Sequence, residues 1–194
     1  MNQITTVPSR APDARPAKSA ALTVLANETT LLSLQRAVLD LSALRRELER
    51  EAERLPSDQA AALEASRLPS LADLERLEQQ VTDALDAPPE PRATKILVGL
   101  MIDAFASSRI GQAETFIEAL VHDVVDEGHS PMVVASACQR LRREQKFLPT
   151  IAEVLDACDA AKRLLGSMPT TIRMVADRKS RALRWIEQAC AHDR

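Results

Sequence analysis

Glycine and aromatic side chains are scarce in this sequence, and that scarcity restricts what the chain can fold into. Four glycines and 2% aromatic residues supply little of what β-strands and tight hairpin turns are made from. The chain is instead rich in Ala, Leu, Glu and Arg, which favour helices. With 45% hydrophobic and 27% charged residues, it has enough apolar material for a packed core. We therefore predict an all-α fold.

Prolines indicate how the 194-residue chain is organised. Residues 1–26 contain three prolines and no sustained apolar period, so we predict a flexible tail. Residues 27–87 are predicted to be an acidic helical or coiled-coil segment, with Asn27 as the N-cap of its long first helix. A proline-rich linker at 88–92 is expected to separate this segment from a compact helical bundle domain at 93–194.

Local signals place several helix ends. Ser70 and Thr150 each precede an acidic residue three positions later, which resembles a capping box. Ser130 is followed by proline, a favourable first helical residue, and Gly128 is expected to end the preceding helix. Phe147 and Leu148 are expected to contact the helix that begins after Thr150 as a hydrophobic staple.

Apolar residues recur at alternating steps of three and four along the first helix, with one polar interruption at Arg45. This spacing is typical of a heptad seam. Such a seam can hold two chains together as a homodimer, and it can equally pack one long helix within its own chain, so both alternatives stay open. The seam residues are Leu31, Leu34, Val38, Leu41, Leu48 and Leu55.

Charge is unevenly distributed. Residues 27–91 carry seven basic and fourteen acidic side chains, a balance of −7, whereas residues 131–194 carry twelve and seven, a balance of +5. A basic surface suits nucleic acid or an acidic protein, although it can also serve solubility alone. Trp185 could stack on a base, but its apolar neighbours favour a core position. The candidate binding residues are Arg140, Arg142, Arg143, Lys146, Phe147, Arg178, Lys179, Arg181 and Arg184.

No catalytic apparatus is recognisable. The sequence contains no GxGxxG, no GxxxxGK[ST] and no GxSxG, and its three histidines are isolated. We predict no enzyme activity, cofactor or metal. Cys138, Cys158 and Cys190 lie among apolar neighbours and are expected to be buried thiols in a reducing cytosol. No signal peptide or membrane span is recognisable, so a soluble, cytoplasmic protein is expected.

One segment resembles a known family. Residues 94–161 contain a helix with Phe116, the run Ser130-Pro131-Met132-Val133-Val134 and the octapeptide Lys146-Phe147-Leu148-Pro149-Thr150-Ile151-Ala152-Glu153. This combination resembles the phage replicative-helicase loader and inhibitor family. The resemblance implies a small helical protein that engages a hexameric replicative helicase. In that family the helical domain comes first and a flexible helicase-binding tail last, whereas here a long acidic helical segment comes first.

Three functions are therefore considered. The first is a non-catalytic DNA-replication accessory of phage or mobile-element type that loads or inhibits a replicative helicase. The second is a coiled-coil adaptor or inhibitor that sequesters another host protein. The third is a DNA-binding transcriptional regulator with a helix-turn-helix. For the first function, exchanging Arg142 and Arg143 for glutamate is expected to weaken partner binding without unfolding the domain.

Overall fold

A computed structural model describes residues 16–105 and 113–192. These residues form eight α-helices and no strand, which confirms the all-α prediction. Side chains are described for residues 28–105 and 114–191. The helices are α1 (Pro16–Ala52), α2 (Ser57–Arg67), α3 (Leu71–Asp86), α4 (Pro91–Asp103), α5 (Ala113–Asp126), α6 (Pro131–Glu144), α7 (Ile151–Gly166) and α8 (Met168–His192).

The capping signals in the sequence correspond to real helix ends. The Ser70 hydroxyl accepts a hydrogen bond from the backbone N–H of Asp73 at the start of α3. At α7, the N–H of Glu153 donates to the Thr150 hydroxyl at 3.3 Å, and the N–H of Thr150 donates to the Glu153 carboxylate at 2.7 Å. This reciprocal pair is a complete capping box. The N–H and the hydroxyl of Thr150 both donate to the Glu153 carboxylate, and because these two bonds favour its ionised form they lower the pKa of Glu153.

Gly128 ends α5, as predicted, through its backbone conformation. Its φ of 71° lies in the left-handed region. The N–H of Gly128 donates to the carbonyl of Val125, and the N–H of His129 donates to the carbonyl of Val124. These two bonds form a Schellman motif, which satisfies the last carbonyls of the helix and turns the chain toward α6.

The first helix begins earlier than expected. α1 starts at Pro16, so Asn27 lies inside the helix and is not its N-cap. The physical reason is local: proline is tolerated in the first turn, and the alanine-rich residues after it contain no helix breaker. Residues 1–15, the rest of the predicted tail, lie outside the described residues.

Helices on both sides of the proline-rich linker share one hydrophobic core. α2 and α3 pack along α8, and α1 packs against α4, α6 and α8. The buried cluster contains Leu41 and Leu74 from the first segment together with Leu120 and Ile172 from the second. The connection at 87–90 therefore joins two segments whose apolar faces cover each other, and α4 begins at Pro91, within the predicted linker.

The seam residues lie mostly within this shared core. Val38, Leu41 and Leu48 are buried, and Leu31 and Leu34 pack against the core from the same face of α1. Leu55 lies beyond the end of α1 and is partly exposed. Dimerisation through the seam stays a prediction, and it would require α1 to leave the core that it helps to form.

The cysteines differ from one another in exposure. Cys138 and Cys158 are buried, as expected, but Cys190 is exposed, so the prediction was wrong there. The reason is its position on α8, beyond Ala182, the last buried residue of that helix.

In the described part of the chain, no helix combines the length and the hydropathy needed to cross a membrane.

Candidate partner-binding surface

Arg142 does not belong to an open basic surface, although the sequence analysis included it. It lies near the end of α6, and its Nη2 donates to Oε1 of Glu28 on α1 at 2.6 Å. The Glu28 carboxylate is buried, and the Arg142 side chain is only 24% exposed. A pair of this kind holds the two helices together and leaves little of the guanidinium for a partner.

Arg178 and Lys179 on α8 also make internal contacts. The Arg178 guanidinium donates to Glu49 on α1 at 2.8 Å and to Glu64 on α2 at 2.6 Å. The hydrogen bond to Glu64, opposed in part by burial, raises the pKa of Arg178. Lys179 is buried, and its ammonium donates to the carbonyls of Ala65 and Leu68 at the end of α2. These contacts fasten α2 to α8 and cap carbonyls that the helix itself leaves unpaired.

Three of the candidate residues form an exposed patch at the end of α6, which we name the Phe147 surface: Arg143, Lys146 and Phe147. All three are exposed, and Phe147 is 77% exposed. Arg143 and Lys146 have no ion pair with any described residue, whereas their neighbour Arg140 is paired with Glu144 at 2.9 Å. The Phe147 surface therefore combines a protruding aromatic ring with two available positive charges.

The connection between α6 and α7 holds Phe147 outward. α6 ends with the N–H of Gln145 bonded to the carbonyl of Leu141. Leu148 packs against the core, Pro149 is buried, and the capping box at Thr150 fixes the start of α7. The expected staple role of Phe147 is therefore wrong. Leu148 and Pro149 already occupy the inward positions, so the ring of Phe147 is left in solvent.

A second exposed patch lies on α8, and we name it the Trp185 surface: Arg181, Arg184 and Trp185. Both arginines are exposed without an ion pair to a described residue, and Trp185 is 50% exposed. The expectation of a core position for Trp185 is wrong. The buried residues Val175, Lys179 and Ala182 lie at steps of four and three, and Trp185 falls beside that stripe.

The structure does not bring these two surfaces together. Arg142, one residue before the Phe147 surface, contacts Glu28, whereas Arg178, on the turn before Arg181, contacts Glu49. Both glutamates lie on α1, where the rise of about 1.5 Å per residue places them roughly 30 Å apart. The exposed basic residues thus form two small separate surfaces, whereas Arg142, Arg178 and Lys179 are bonded to other helices of the chain.

No described group of three or more His, Cys, Asp or Glu side chains is arranged to hold a metal ion.

Sequence reasoning identified the residue types of both surfaces but could not separate the paired cations from the available ones. Comparison of the chain with protein families, with curated proteins and with solved structures found no match.

Proposed function

We propose that this protein is a non-catalytic binding protein that engages a protein partner through the Phe147 surface. The observation that carries the proposal is the 77% exposure of Phe147 on a connection held at both ends. A large apolar ring in water on an ordered connection is typical of an anchor that a partner's pocket covers. Covering it would contribute about 2 kcal/mol from the hydrophobic effect.

The charges beside Phe147 indicate the chemistry of the partner. Arg143 and Lys146 are exposed and pair with no carboxylate among the described residues, so a partner pocket bordered by Asp or Glu would complement them. An aromatic anchor with charges at its rim is the usual arrangement of a binding hot spot, in which the ring supplies affinity and the charges supply orientation and rate. We therefore expect an apolar pocket with an acidic rim on the partner.

As the partner we propose a hexameric replicative helicase, which this protein would load or inhibit as a DNA-replication accessory. The support is the resemblance of residues 146–153 to the helicase loader and inhibitor family, because Phe147 lies within that octapeptide. The capping box of Thr150 and Glu153 holds the rest of the octapeptide in place. Phe147 is thus the most exposed of the large apolar residues of the octapeptide.

The test compares three forms of the tagged full-length chain in pull-downs from host extract, with quantitative mass spectrometry of the bound proteins. We expect the unmodified chain to retain the replicative helicase and Phe147→Ala to retain at least tenfold less. The matched control is Leu164→Ala, which removes another exposed apolar side chain, on α7, and should leave retention unchanged.

The outcomes separate the proposed functions. If a different protein is retained and depends on Phe147 in the same way, the adaptor or inhibitor function replaces the helicase function. If no bound protein distinguishes Phe147→Ala from Leu164→Ala, the Phe147 surface is not the binding site. Circular dichroism of each variant shows that the helices are intact.

A DNA-binding regulator has less support. In a helix-turn-helix built from α6 and α7, the start of α7 would enter the major groove. The exposed charged residues there are Glu153, Asp156 and Asp159, all of which repel phosphates. Nearly all of α6 before Arg140 is buried and could not cross a DNA backbone.

A further inference from the structure

The Trp185 surface differs from the Phe147 surface in its residue types. Its aromatic ring is an indole, and both of its cations are arginines. Arg181 precedes Trp185 by one helical turn, which brings side chains at these positions into the same neighbourhood. Arg184 is adjacent in sequence. All three side chains are exposed, and neither arginine has an ion pair within the described part of the chain.

We propose that the Trp185 surface binds single-stranded nucleic acid, with a base stacked on the indole ring and the adjacent phosphates bound by Arg181 and Arg184. A flat aromatic ring accepts any base, and guanidinium groups suit phosphate geometry. The ring is half exposed on the surface of α8. It can therefore reach an unpaired base, whereas the bases of a duplex are stacked inside and closed to it.

The charges around this surface favour a short segment of nucleic acid with few phosphates. Arg178, on the preceding turn, is already neutralised by Glu49 and Glu64, and Arg173 is bonded to Glu78 at 2.5 Å. The available cations on this part of α8 are thus Arg181 and Arg184. The exposed carboxylates of Asp177 and Glu187 lie on the same helix and limit the affinity. We expect a contact with one base and about two phosphates, strongest at low salt.

An acidic protein segment is the competing ligand, and the base-stacking ring argues against it. A carboxylate ligand would need the arginines but would gain little from a ring exposed between them. A nucleotide uses the ring face and the cations together. This inference rests on α8 alone and not on the function proposed for the Phe147 surface.

Trp185 itself reports the binding, because the chain has one tryptophan and no tyrosine. The experiment titrates the full chain with the oligonucleotides dT15 and rU15 and follows the tryptophan emission. Stacking is expected to quench that emission. Comparing the affinity for dT15 with that for rU15 shows whether the sugar affects binding. With two phosphates neutralised, the slope of log affinity against log salt should be about −1.4.

Charge variants complete the test. Arg181→Gln with Arg184→Gln should weaken binding about tenfold or more, whereas the charge-matched pair Arg143→Gln with Lys146→Gln should leave it unchanged. Both pairs remove exposed cations without ion pairs to described residues, so folding should be preserved in both. Phe147→Ala should also leave the quenching unchanged, which keeps this test apart from that of the proposed function.

Three results would overturn the inference. The first is the absence of quenching by either oligonucleotide at low salt. The second is equal quenching by polyglutamate of matched length, which would assign the surface to an acidic protein. The third is stronger binding of a blunt duplex than of dT15, since a duplex offers no base to the indole.

Discussion

The guanidinium of Arg142 lies 2.6 Å from the carboxylate of Glu28, although the two residues are 114 positions apart in the chain. This contact joins the end of α6 to α1 at a point where the Glu28 side chain is almost fully buried. It explains why little of this guanidinium, in the most basic stretch of the sequence, is available to a partner. It also changes what a charge substitution there would do.

The first prediction concerns this pair. Arg142→Met leaves the Glu28 carboxylate buried without a partner, and we expect the free energy of unfolding to fall by about 2–4 kcal/mol. Urea unfolding followed by circular dichroism measures the change. The double variant Glu28→Leu with Arg142→Met should recover most of the loss, because no unpaired charge remains. Equal stability of the Arg142→Met chain and the unmodified chain would contradict the structural role.

The same pair corrects a sequence-based expectation. Exchanging both Arg142 and Arg143 for glutamate was expected to spare the fold. Arg142→Glu places a second carboxylate against Glu28, so that double variant should be destabilised. Arg143→Glu with Lys146→Glu is the suitable test of the Phe147 surface, because both side chains are exposed. Its stability should stay within about 0.5 kcal/mol of that of the unmodified chain.

A second prediction concerns the pH dependence of stability. His129 is buried, and burial lowers its pKa below the ordinary 6.5, with Lys162 acting in the same direction and Asp159 and Glu127 opposing it. Below pH 6.5 the unfolded chain therefore binds a proton that the folded chain does not. The contribution of His129 is fully present above pH 6.5 and is lost as the pH falls toward its folded pKa.

Urea unfolding between pH 7.5 and pH 5 checks this prediction. His129→Gln should reduce the fall in stability over that range, even if the variant is less stable at every pH. The matched control is His122→Gln on α5, whose side chain is 78% exposed, so that the loss of the buried histidine is measured against the loss of an exposed one. Identical pH profiles for His129→Gln and the unmodified chain would assign the dependence to other groups.

A third prediction concerns thiol reactivity. Burial raises the pKa of Cys158 to about 12 and also raises that of Cys138, whereas Cys190 is exposed. Since the thiolate is the reactive form, the native protein should react rapidly with one equivalent of Ellman's reagent and with three after denaturation. Cys190→Ser should abolish the fast reaction. A rapid second equivalent in the native protein would show that α6 and α7 open readily.

Local helix signals were readable from the sequence because each depends on residues close together in the chain. The hydroxyls of Ser70 and Thr150 accept hydrogen bonds from backbone N–H groups three residues away. Gly128 adopts its positive φ because glycine has no Cβ. The start of α1 was misplaced at Asn27, since the sequence after Pro16 is helical without any distinctive cap. The candidate surfaces were predicted by residue type, but only some of the predicted residues are exposed and available for binding.

The sequence by itself determined that the chain is helical, where most helices end and which segments are acidic or basic, because these follow from composition and from contacts within a few residues. Only the tertiary structure decided that Leu41 and Leu48 are buried in the chain's own core, since a heptad pattern fits a partner helix equally well. It also decided that Arg178 is paired while Arg181 is available. Two arginines on one helix look alike in sequence, and what distinguishes them is a carboxylate brought near from a distant part of the chain.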